Sequence, residues 1–257
     1  MTRLFSFNFY ALFSLLFPLT LLGQESNKYL FSNKIFNLQF LYNYHVPSGN
    51  YAKTYGKYSA IGFGGMLKTK DNWIISGEAN YLFGSNIKEA DLFNNLISSG
   101  GYISSTSGSP ANYSVNMRGF STYLGAGRLF AVNKRNINSG FMLKGGLGFL
   151  QHYINIVSQE RNIPQLDQNY SKGYDRLSSG LSFTEFVGYC HQSQNRLINF
   201  YIGVEWMQAS TTNRRKYNYD QMSYQTGSKV DFSTSFRVGW MIPIYLNTKE
   251  ENEFQFK

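Results

Sequence analysis

The sequence of 257 residues predicts an all-β fold: an eight-stranded antiparallel up-and-down β-barrel that crosses a membrane and carries long extracellular loops. Three observations predict it. Apolar and polar residues alternate along about eight segments, the connections between these segments alternate between short and long, and the composition is aromatic without being hydrophobic. Because successive side chains of a strand point to opposite faces, each alternating segment has one apolar and one polar face, as a wall between lipid and a polar interior requires.

The alternation is clearest in residues 230–245, VDFSTSFRVGWMIPIY. Phe236 and Trp240 fall on one face, whereas Asp231 and Arg237 fall on the other. The segment is much longer than the ~5–6 residues of an ordinary strand. The same period of two predicts further strands over residues 35–45, 58–68, 73–83, 113–130, 141–156, 181–190 and 197–208.

Three of these strands are less regular. In 113–130 the apolar phase slips near Gly119, which predicts either a β-bulge or two ways to place the apolar face. The strand over 141–156 alternates well but must place Lys144 inward. In 181–190 the apolar phase includes Glu185, and because a carboxylate facing lipid is unfavourable, we expect a bulge there or the opposite phase.

The connections are segregated by length. Short turns such as TKDN and HQSQNR alternate with long connections over residues 46–56, 84–112, 157–179 and 209–228. Outer-membrane barrels have short periplasmic turns, long extracellular loops and an even number of strands. The pattern therefore predicts an integral outer-membrane protein with both termini in the periplasm. Within the second long loop, residues 87–97 (IKEADLFNNLI) are expected to form a short helix.

The composition agrees with this fold class. Aromatic residues make up 18% and charged residues only 15% of the chain, against about 25% charged in ordinary globular proteins. The mean hydropathy of −0.32 is nevertheless too low for a helical membrane protein. A transmembrane barrel reconciles the two values, because only one face of each strand is apolar and its girdles are aromatic.

The N-terminus predicts export. Arg3 precedes an apolar run over residues 4–22 and the small residue Gly23, so residues 1–23 read as a signal peptide. The alternative is a retained helical anchor, although Asn8 and Pro18 interrupt a run that is barely long enough to span a membrane. We expect residues 24–34 to be a periplasmic segment, residues 35–245 the barrel and residues 246–257 a short periplasmic tail.

The interior of an eight-stranded barrel is just wide enough for side chains to fill, and buried charges need partners. Glu205 and Arg237 lie on adjacent strands and are the first expected ion pair, while Lys144, Arg118 and Arg128 are available for the other carboxylates. These groups either plug the barrel or line a narrow ion path. The charged residues expected to pair inside are Glu78, Lys144, Glu205, Asp231 and Arg237.

The fourth long loop carries the basic run Arg214, Arg215 and Lys216 beside two tyrosines. Arginine binds phosphate bidentately, so contact with lipopolysaccharide is one interpretation, and a solvated loop is the other. Nucleic acid is not an expected partner of an exported barrel.

An enzyme acting on lipid would need a histidine beside a nucleophile or an acid. His45, with Ser48 nearby, and His152 lie near the outer ends of their strands, but neither belongs to a catalytic motif. The single cysteine, Cys190, excludes an internal disulfide, and there is no Cys/His cluster, acidic calcium loop or Gly-rich phosphate loop before a helix. We therefore expect no catalytic residue, cofactor or metal.

Three segments carry a family resemblance: KGYDRL (172–177), RLINFYIGVEW (196–206) and VGWMIPIY (238–245). They resemble small outer-membrane barrel proteins of Bacteroidota-type Gram-negative bacteria, with OmpA- or OmpX-like walls, over about residues 35–245. The family has no single defined role. The resemblance implies an accessory subunit of a larger outer-membrane secretion or assembly complex. OmpA-like proteins append a peptidoglycan-binding domain, but residues 246–257 are too short for one, so we do not expect that function.

The leading functional hypothesis is a non-enzymatic barrel whose extracellular loops bind a partner protein or a surface glycolipid. Tyr174, Asp175 and Arg176 of the GYDRL segment are expected to pin the third long loop to the barrel mouth. The alternatives are a narrow passive channel and an outer-membrane lipid-modifying enzyme.

Overall fold

The computed structural model describes residues 34–89, 91–133, 136–158, 163, 166, 170–193, 197–215, 217–224 and 227–246. Within these residues, eight antiparallel strands form a closed barrel in which each strand pairs with the next and the first pairs with the last. The predicted fold class is therefore confirmed. The predicted signal peptide, residues 24–33 and the tail from residue 247 onward lie outside the described residues.

The strands overlap the predicted segments and mostly extend beyond them. They are β1 (Ile35–Gly49), β2 (Tyr58–Lys68), β3 (Trp73–Gly84), β4 (Tyr113–Asn133), β5 (Asn136–Ser158), β6 (Ser178–Gln192), β7 (Asn199–Asn213) and β8 (Ser228–Tyr245). Three short connections meet at one end of the barrel, the short-turn end, and four longer ones meet at the other, the long-loop end.

The long loops contain little regular structure. A four-residue helix, α1 (Tyr51–Thr54), follows β1, and a single 3-10 turn (Ser171–Gly173) precedes β6. Among the described residues, no helix has the length and apolar character that crossing a membrane requires. The helix predicted over residues 87–97 is wrong: residues 91–96 form turns. Their backbone hydrogen bonds join residues three apart, from Asn94 N to the Asp91 carbonyl and from Leu96 N to the Phe93 carbonyl, which is the spacing of turns and not the four-residue spacing of an α-helix.

The two faces of the wall differ as the alternation predicts. On β1, Asn37 and Asn43 are fully buried inside the barrel, while Phe40 and Tyr42 are about half exposed on its outside. Exposed apolar side chains recur on the other strands, including Phe63, Leu124 and Leu147. A continuous apolar outer surface of this extent favours contact with lipid over contact with water.

The interior has three layers. The long-loop half and the short-turn half each contain a cluster of buried apolar side chains, and polar and charged side chains lie between them. The short-turn cluster consists of Leu41, Met66, Ile74, Leu129, Met142, Phe186, Cys190, Tyr201 and Met241. The interior is therefore filled by side chains, as expected for eight strands.

Strand β4 has one phase and no bulge at Gly119. Its register with β5 is continuous from Tyr113↔Ser158 to Ala131↔Gly140. The pattern of apolar residues in the sequence is irregular because large apolar side chains, among them Met117, point into the barrel, whereas Arg118 and Arg128 lie on the outer face. The expectation that these two arginines pair with interior carboxylates is therefore wrong.

Strand β6 also keeps an unbroken register with both neighbours, and Glu185 lies on its outer face. The expected bulge or opposite phase is wrong. The opposite phase would turn Ser182 and Thr184 towards lipid and would place several apolar residues in the polar layer. The apolar outward residues that share the phase of Glu185 are Leu181, Phe183, Val187 and Tyr189.

Candidate binding site at the mouth of the barrel

An ion network fills the barrel at mid-height. Arg237, with no exposed surface, donates from Nη2 to Glu205 Oε1 (2.9 Å), from Nη1 to Glu78 Oε2 (3.0 Å) and from Nε to Asn43 Oδ1 (2.8 Å). Lys144 Nζ donates to Glu78 Oε2 at 3.0 Å. The two cations and two carboxylates balance in charge, which is the arrangement that buried charges require.

Asp231 belongs to a separate group nearer the long-loop end. Its Oδ2 accepts a hydrogen bond from Thr211 Oγ1 (2.6 Å) and lies 3.2 Å from His152 Nε2. The other ring nitrogen of His152 lies 3.1 Å from the hydroxyl of Tyr55. The partner of Asp231 is thus His152, on a strand across the barrel, and not one of the three cations expected from the sequence.

The outward arginines of β4 have other contacts. Arg118 Nη1 donates to the carbonyl of the adjacent Met117 at 2.8 Å. The guanidinium of Arg128 lies over the rings of Trp73 and Phe130, 5.2 and 5.8 Å from their centroids. Cation–π contacts of this kind are expected where an aromatic girdle meets water at the membrane interface.

The third long loop is attached to its neighbours through Arg176. Its Nε donates to Glu89 Oε2 in the second loop (3.0 Å), and its Nη2 donates to Asp220 Oδ2 in the fourth loop (2.5 Å). Arg176 has a positive φ of 52°, a conformation that costs a non-glycine residue free energy. The two ion pairs offset that cost, so one side chain joins three loops into a cap, named here the loop cap.

Asp175 and Tyr174 add further contacts to the loop cap. Asp175 accepts hydrogen bonds from Arg215, with Nε 2.9 Å from Oδ1, and its backbone carbonyl accepts one from the Ile154 amide at 2.6 Å. The Tyr174 hydroxyl accepts a hydrogen bond from Asn95 Nδ2 at 3.0 Å. Burial raises the pKa of Tyr174, so its hydroxyl remains neutral. The GYDRL segment therefore contacts β5 as well as the second and fourth loops.

The basic run of the fourth loop is engaged within the protein. Arg214 Nε donates to Ser179 Oγ at 2.6 Å, and Arg215 pairs with Asp175. The hydrogen bonds to Asp175 raise the pKa of Arg215 further above its ordinary value. Lys216 lies outside the described residues. Phosphate bound at this run would compete with the contacts that join the third and fourth loops.

A cavity of about 310 Å³ lies beneath the loop cap. The carboxylates that line it already accept hydrogen bonds: Glu89 from Thr54 Oγ1 and Arg176, and Asp231 from Thr211. Its wall also includes the ring of Tyr51, in α1, and the ring of Tyr55, which directly follows α1. Residues lining the cavity include Tyr51, Tyr55, Glu89, His152, Arg176 and Asp231.

The outer surface of the loop cap carries a group of aromatic side chains, named here the tyrosine patch. Tyr224 and Met222 are 70% and 72% exposed. The rings pack against one another: the ring centroids of Tyr217 and Tyr224 are 5.1 Å apart, and those of Tyr219 and Tyr170 are 6.4 Å apart. The sequence signal for this group is the density of tyrosine in residues 217–224, which reaches beyond the two tyrosines beside the basic run. The patch comprises Tyr170, Tyr217, Tyr219, Met222 and Tyr224.

The histidines considered for catalysis point into the barrel. His45 is buried, lies 3.2 Å from Ser233 Oγ and stacks on Tyr58 with centroids 4.5 Å apart. Burial raises the pKa of Tyr55, the hydroxyl beside His152, well above its ordinary value, which makes it a poor nucleophile. In the part of the chain that the structure describes, no group of three or more His, Cys, Asp or Glu could hold a metal ion.

Comparison with known proteins gives a structural likeness only. No family model matches the chain, and no curated protein is similar to it. The crystal structure of neisserial surface protein A is similar over 80% of this chain and 96% of its own, with 10% identity and a TM-score of 0.44. Ail, the attachment invasion locus protein of Yersinia pestis, is similar over 81% of this chain and 98% of its own, with 10% identity and a TM-score of 0.43.

The outer membrane protein OprG from Pseudomonas aeruginosa is similar over 82% of this chain and 96% of its own, with 12% identity and a TM-score of 0.34. At such low identity the likeness is limited to the fold. It says nothing about what this chain binds.

Proposed function

We propose that this chain is a non-enzymatic integral outer-membrane barrel whose loop cap binds a partner protein through the tyrosine patch. The observation that carries the proposal is the position of the patch: exposed aromatic side chains lie on loops that ion pairs hold together. In this proposal the long-loop end faces the outside of the cell and both termini lie in the periplasm.

The apolar outer surface of the wall supports the membrane location. Outward side chains at mid-height are large and exposed, such as Phe63 (67%) and Leu147 (69%), while charged side chains at the same height are mostly buried inside. The aromatic residues Trp73, Phe141 and Trp240 lie outward near the short-turn end, where an interfacial girdle is expected. When the barrel is inserted in a membrane, these side chains contact lipid hydrocarbon and not water.

The composition and order of the patch favour a protein as the partner. Tyrosine and methionine are enriched in the cores of protein interfaces, and tyrosine offers a large contact area for few rotatable bonds. The Arg176 ion pairs fix the loops before binding, which lowers the conformational entropy lost on association. A surface glycolipid is the less favoured ligand, since Arg214 and Arg215 already donate within the protein.

Membership of a larger outer-membrane secretion or assembly complex is part of the proposal. It rests on the resemblance of the three segments and on the partner-binding surface, and it predicts that the chain is recovered together with other membrane proteins.

The narrow channel is the less favoured alternative. The Arg237 network and the two apolar clusters fill the interior, and the four charged side chains of that network are each less than a tenth exposed. Planar bilayers containing the purified barrel are therefore expected to show no discrete conductance steps, and reproducible steps would favour the channel.

The lipid-modifying enzyme is also less favoured, because His45 and His152 face the interior, away from the membrane. Replacing both residues should leave the lipid A and phospholipid profiles of the cells unchanged. An altered profile would restore the enzymatic hypothesis.

The proposed function is tested by purification from the native membrane in mild detergent. The double variant Tyr170→Ala, Tyr224→Ala should insert normally but lose the proteins that copurify with the unaltered chain, since it removes two of the most exposed rings of the patch. Tyr102→Ala is the matched control, because Tyr102 is an exposed tyrosine of the second loop outside the patch. Equal recovery of partners with both variants contradicts the proposal.

A further inference from the structure

Glu185 lies on the lipid-facing side of the wall, at the midpoint of the 15-residue strand β6. Its outward neighbours on the same strand are apolar on both sides, with Leu181 and Phe183 towards the long-loop end and Val187 and Tyr189 towards the short-turn end. At about 3.3 Å per residue, Leu181 is roughly 13 Å away along the tilted strand. The carboxylate therefore lies inside the apolar band, which is about 25 Å tall in such barrels.

Within the described part of the chain, the Glu185 side chain makes no hydrogen bond or ion pair. Its register partners are Gly145 on β5, which has no side chain, and Trp206 on β7. The outward arginines of β4, Arg118 and Arg128, lie two strands away and near its opposite ends. An ionisable group in hydrocarbon is costly unless it meets a partner, and such residues commonly mark functional contacts.

The surface beside Glu185 has a dent. Gly145 pairs with Glu185 on one side and with Ala126 of β4 on the other, so two adjacent outward positions carry almost no side chain. The barrel itself does not require this glycine: a Cβ added at Gly145 would meet its nearest atom, the Thr184 carbonyl oxygen, at an ordinary 3.9 Å. Small residues on lipid-facing surfaces let another transmembrane segment approach closely.

We propose that the outer face of β4–β6 around Glu185, with the dent at Gly145 and Ala126, is the docking surface for the transmembrane wall of a different membrane protein that presents a lysine or arginine at mid-height. Charge complementarity selects this occupant. A second copy docking through the same face would oppose two carboxylates. A cation that meets Glu185 compensates a charge that hydrocarbon would otherwise leave unpaired.

This inference rests on the proposed membrane location but not on the tyrosine patch. The two contacts lie on different surfaces, one in the membrane and one on the loop cap. Loss of loop binding in the tyrosine variants leaves the contact at Glu185 intact, and the reverse also holds, so the two proposals fail separately.

The test uses the full chain in its native membrane with a photo-crosslinking residue at Leu181, which is 77% exposed on the same outer face of β6, four residues from Glu185. The matched control carries the crosslinker at Phe63, which is 67% exposed at mid-height on β2, on the opposite side of the ring. We expect one discrete adduct with another membrane protein from position 181 and none from position 63. That adduct should fall at least tenfold with Glu185→Leu and clearly with the isosteric Glu185→Gln.

Identification of the crosslinked peptide completes the test. The adduct should map to a lipid-facing segment of the partner beside a lysine or arginine, and reversing that residue to glutamate should restore crosslinking to Glu185→Lys. Absence of an adduct, an adduct that is unchanged by Glu185→Leu, or an adduct with the mass of two copies of this chain would each overturn the proposal.

A stability measurement separates docking from a structural role. The isolated Glu185→Leu barrel in lipid vesicles should unfold at a higher urea concentration than the unaltered barrel, because leucine suits hydrocarbon better than a carboxylate does. A lower midpoint would show that Glu185 supports the barrel itself and would also contradict the proposal.

Discussion

Two arginines, each held by two carboxylates, fix different parts of this molecule. Arg237 contacts Glu78 and Glu205 inside the barrel, and the side chains of all three are at most 3% exposed. Arg176 contacts Glu89 and Asp220 in the loop cap, where the Glu89 side chain is 24% exposed. The chemistry is the same in both places, but the first group is dry throughout, whereas in the second Glu89 is in contact with water and Arg176 and Asp220 are 8% and 6% exposed.

The two clusters also differ in what they join. Strands β3, β7 and β8 are already fixed by backbone hydrogen-bond ladders, so Arg237 does not determine where they lie. The second, third and fourth loops share few backbone hydrogen bonds, so side-chain contacts, those of Arg176 among them, determine how the loops are arranged. Removing the interior cation should therefore cost stability, whereas removing the cap cation should cost loop order.

The largest effect is expected from Arg237→Met. The change leaves Glu78 and Glu205 buried with Lys144 as their one remaining cation among the described residues, so the free energy of unfolding should fall by about 3–5 kcal/mol. Urea unfolding of the barrel in lipid vesicles measures this. Arg128→Met, at an outward position, is the control and should cost about 1 kcal/mol or less. Equal losses in the two variants would show that the network has no special role.

A smaller loss is expected when the network stays balanced in charge. The double variant Glu205→Gln, Arg237→Met removes one carboxylate together with the cation and leaves Glu78 paired with Lys144, so it should be more stable than Arg237→Met alone. The same urea unfolding compares them. A double variant that loses as much as the sum of the single variants would mean that the interior charges contribute independently.

The sequence predicted which side chains of the wall face outward better than it predicted the contacts between side chains inside the barrel. Alternation depends on neighbouring residues of one strand, so the outward and inward faces of β1, β2 and β8 follow from the pattern alone. The contact between Asp231 and His152 does not, because it crosses the barrel from β8 to β5 and depends on the stagger at which the strands close. Glu185 was misjudged because the phase of a strand is set by the majority of its side chains, so one carboxylate does not reverse it.

In the loop cap, Arg176→Ala should change the free energy of unfolding of the barrel by about 1 kcal/mol or less but release the loops. A protease added to intact cells should cleave the long loops several-fold faster than in the unaltered chain. Arg118→Ala is the control, since that guanidinium donates to the carbonyl of the neighbouring Met117. Unchanged cleavage in Arg176→Ala would show that Arg176 does not keep the long loops ordered.

The smallest effect is expected from Asp175→Asn. It weakens the pair with Arg215, whose side chain is 27% exposed, while the backbone contact of residue 175 with Ile154 remains. Cleavage should rise by less than in Arg176→Ala, and barrel stability should stay within about 0.5 kcal/mol. A rise larger than that of Arg176→Ala would place the main attachment of the third loop at Asp175.

The pairing of β1 with β8 runs without interruption from Ile35↔Tyr245 to Gly49↔Asp231 and joins the two most distant strands of the chain. Contacts so remote in sequence form late and slowly, because a long loop must close before they are made. Until β8 pairs with β1, the sheet has two open edges that can pair with other chains. Ring closure removes both edges in one step, so an unclosed chain must be kept from aggregating until its last strand meets its first.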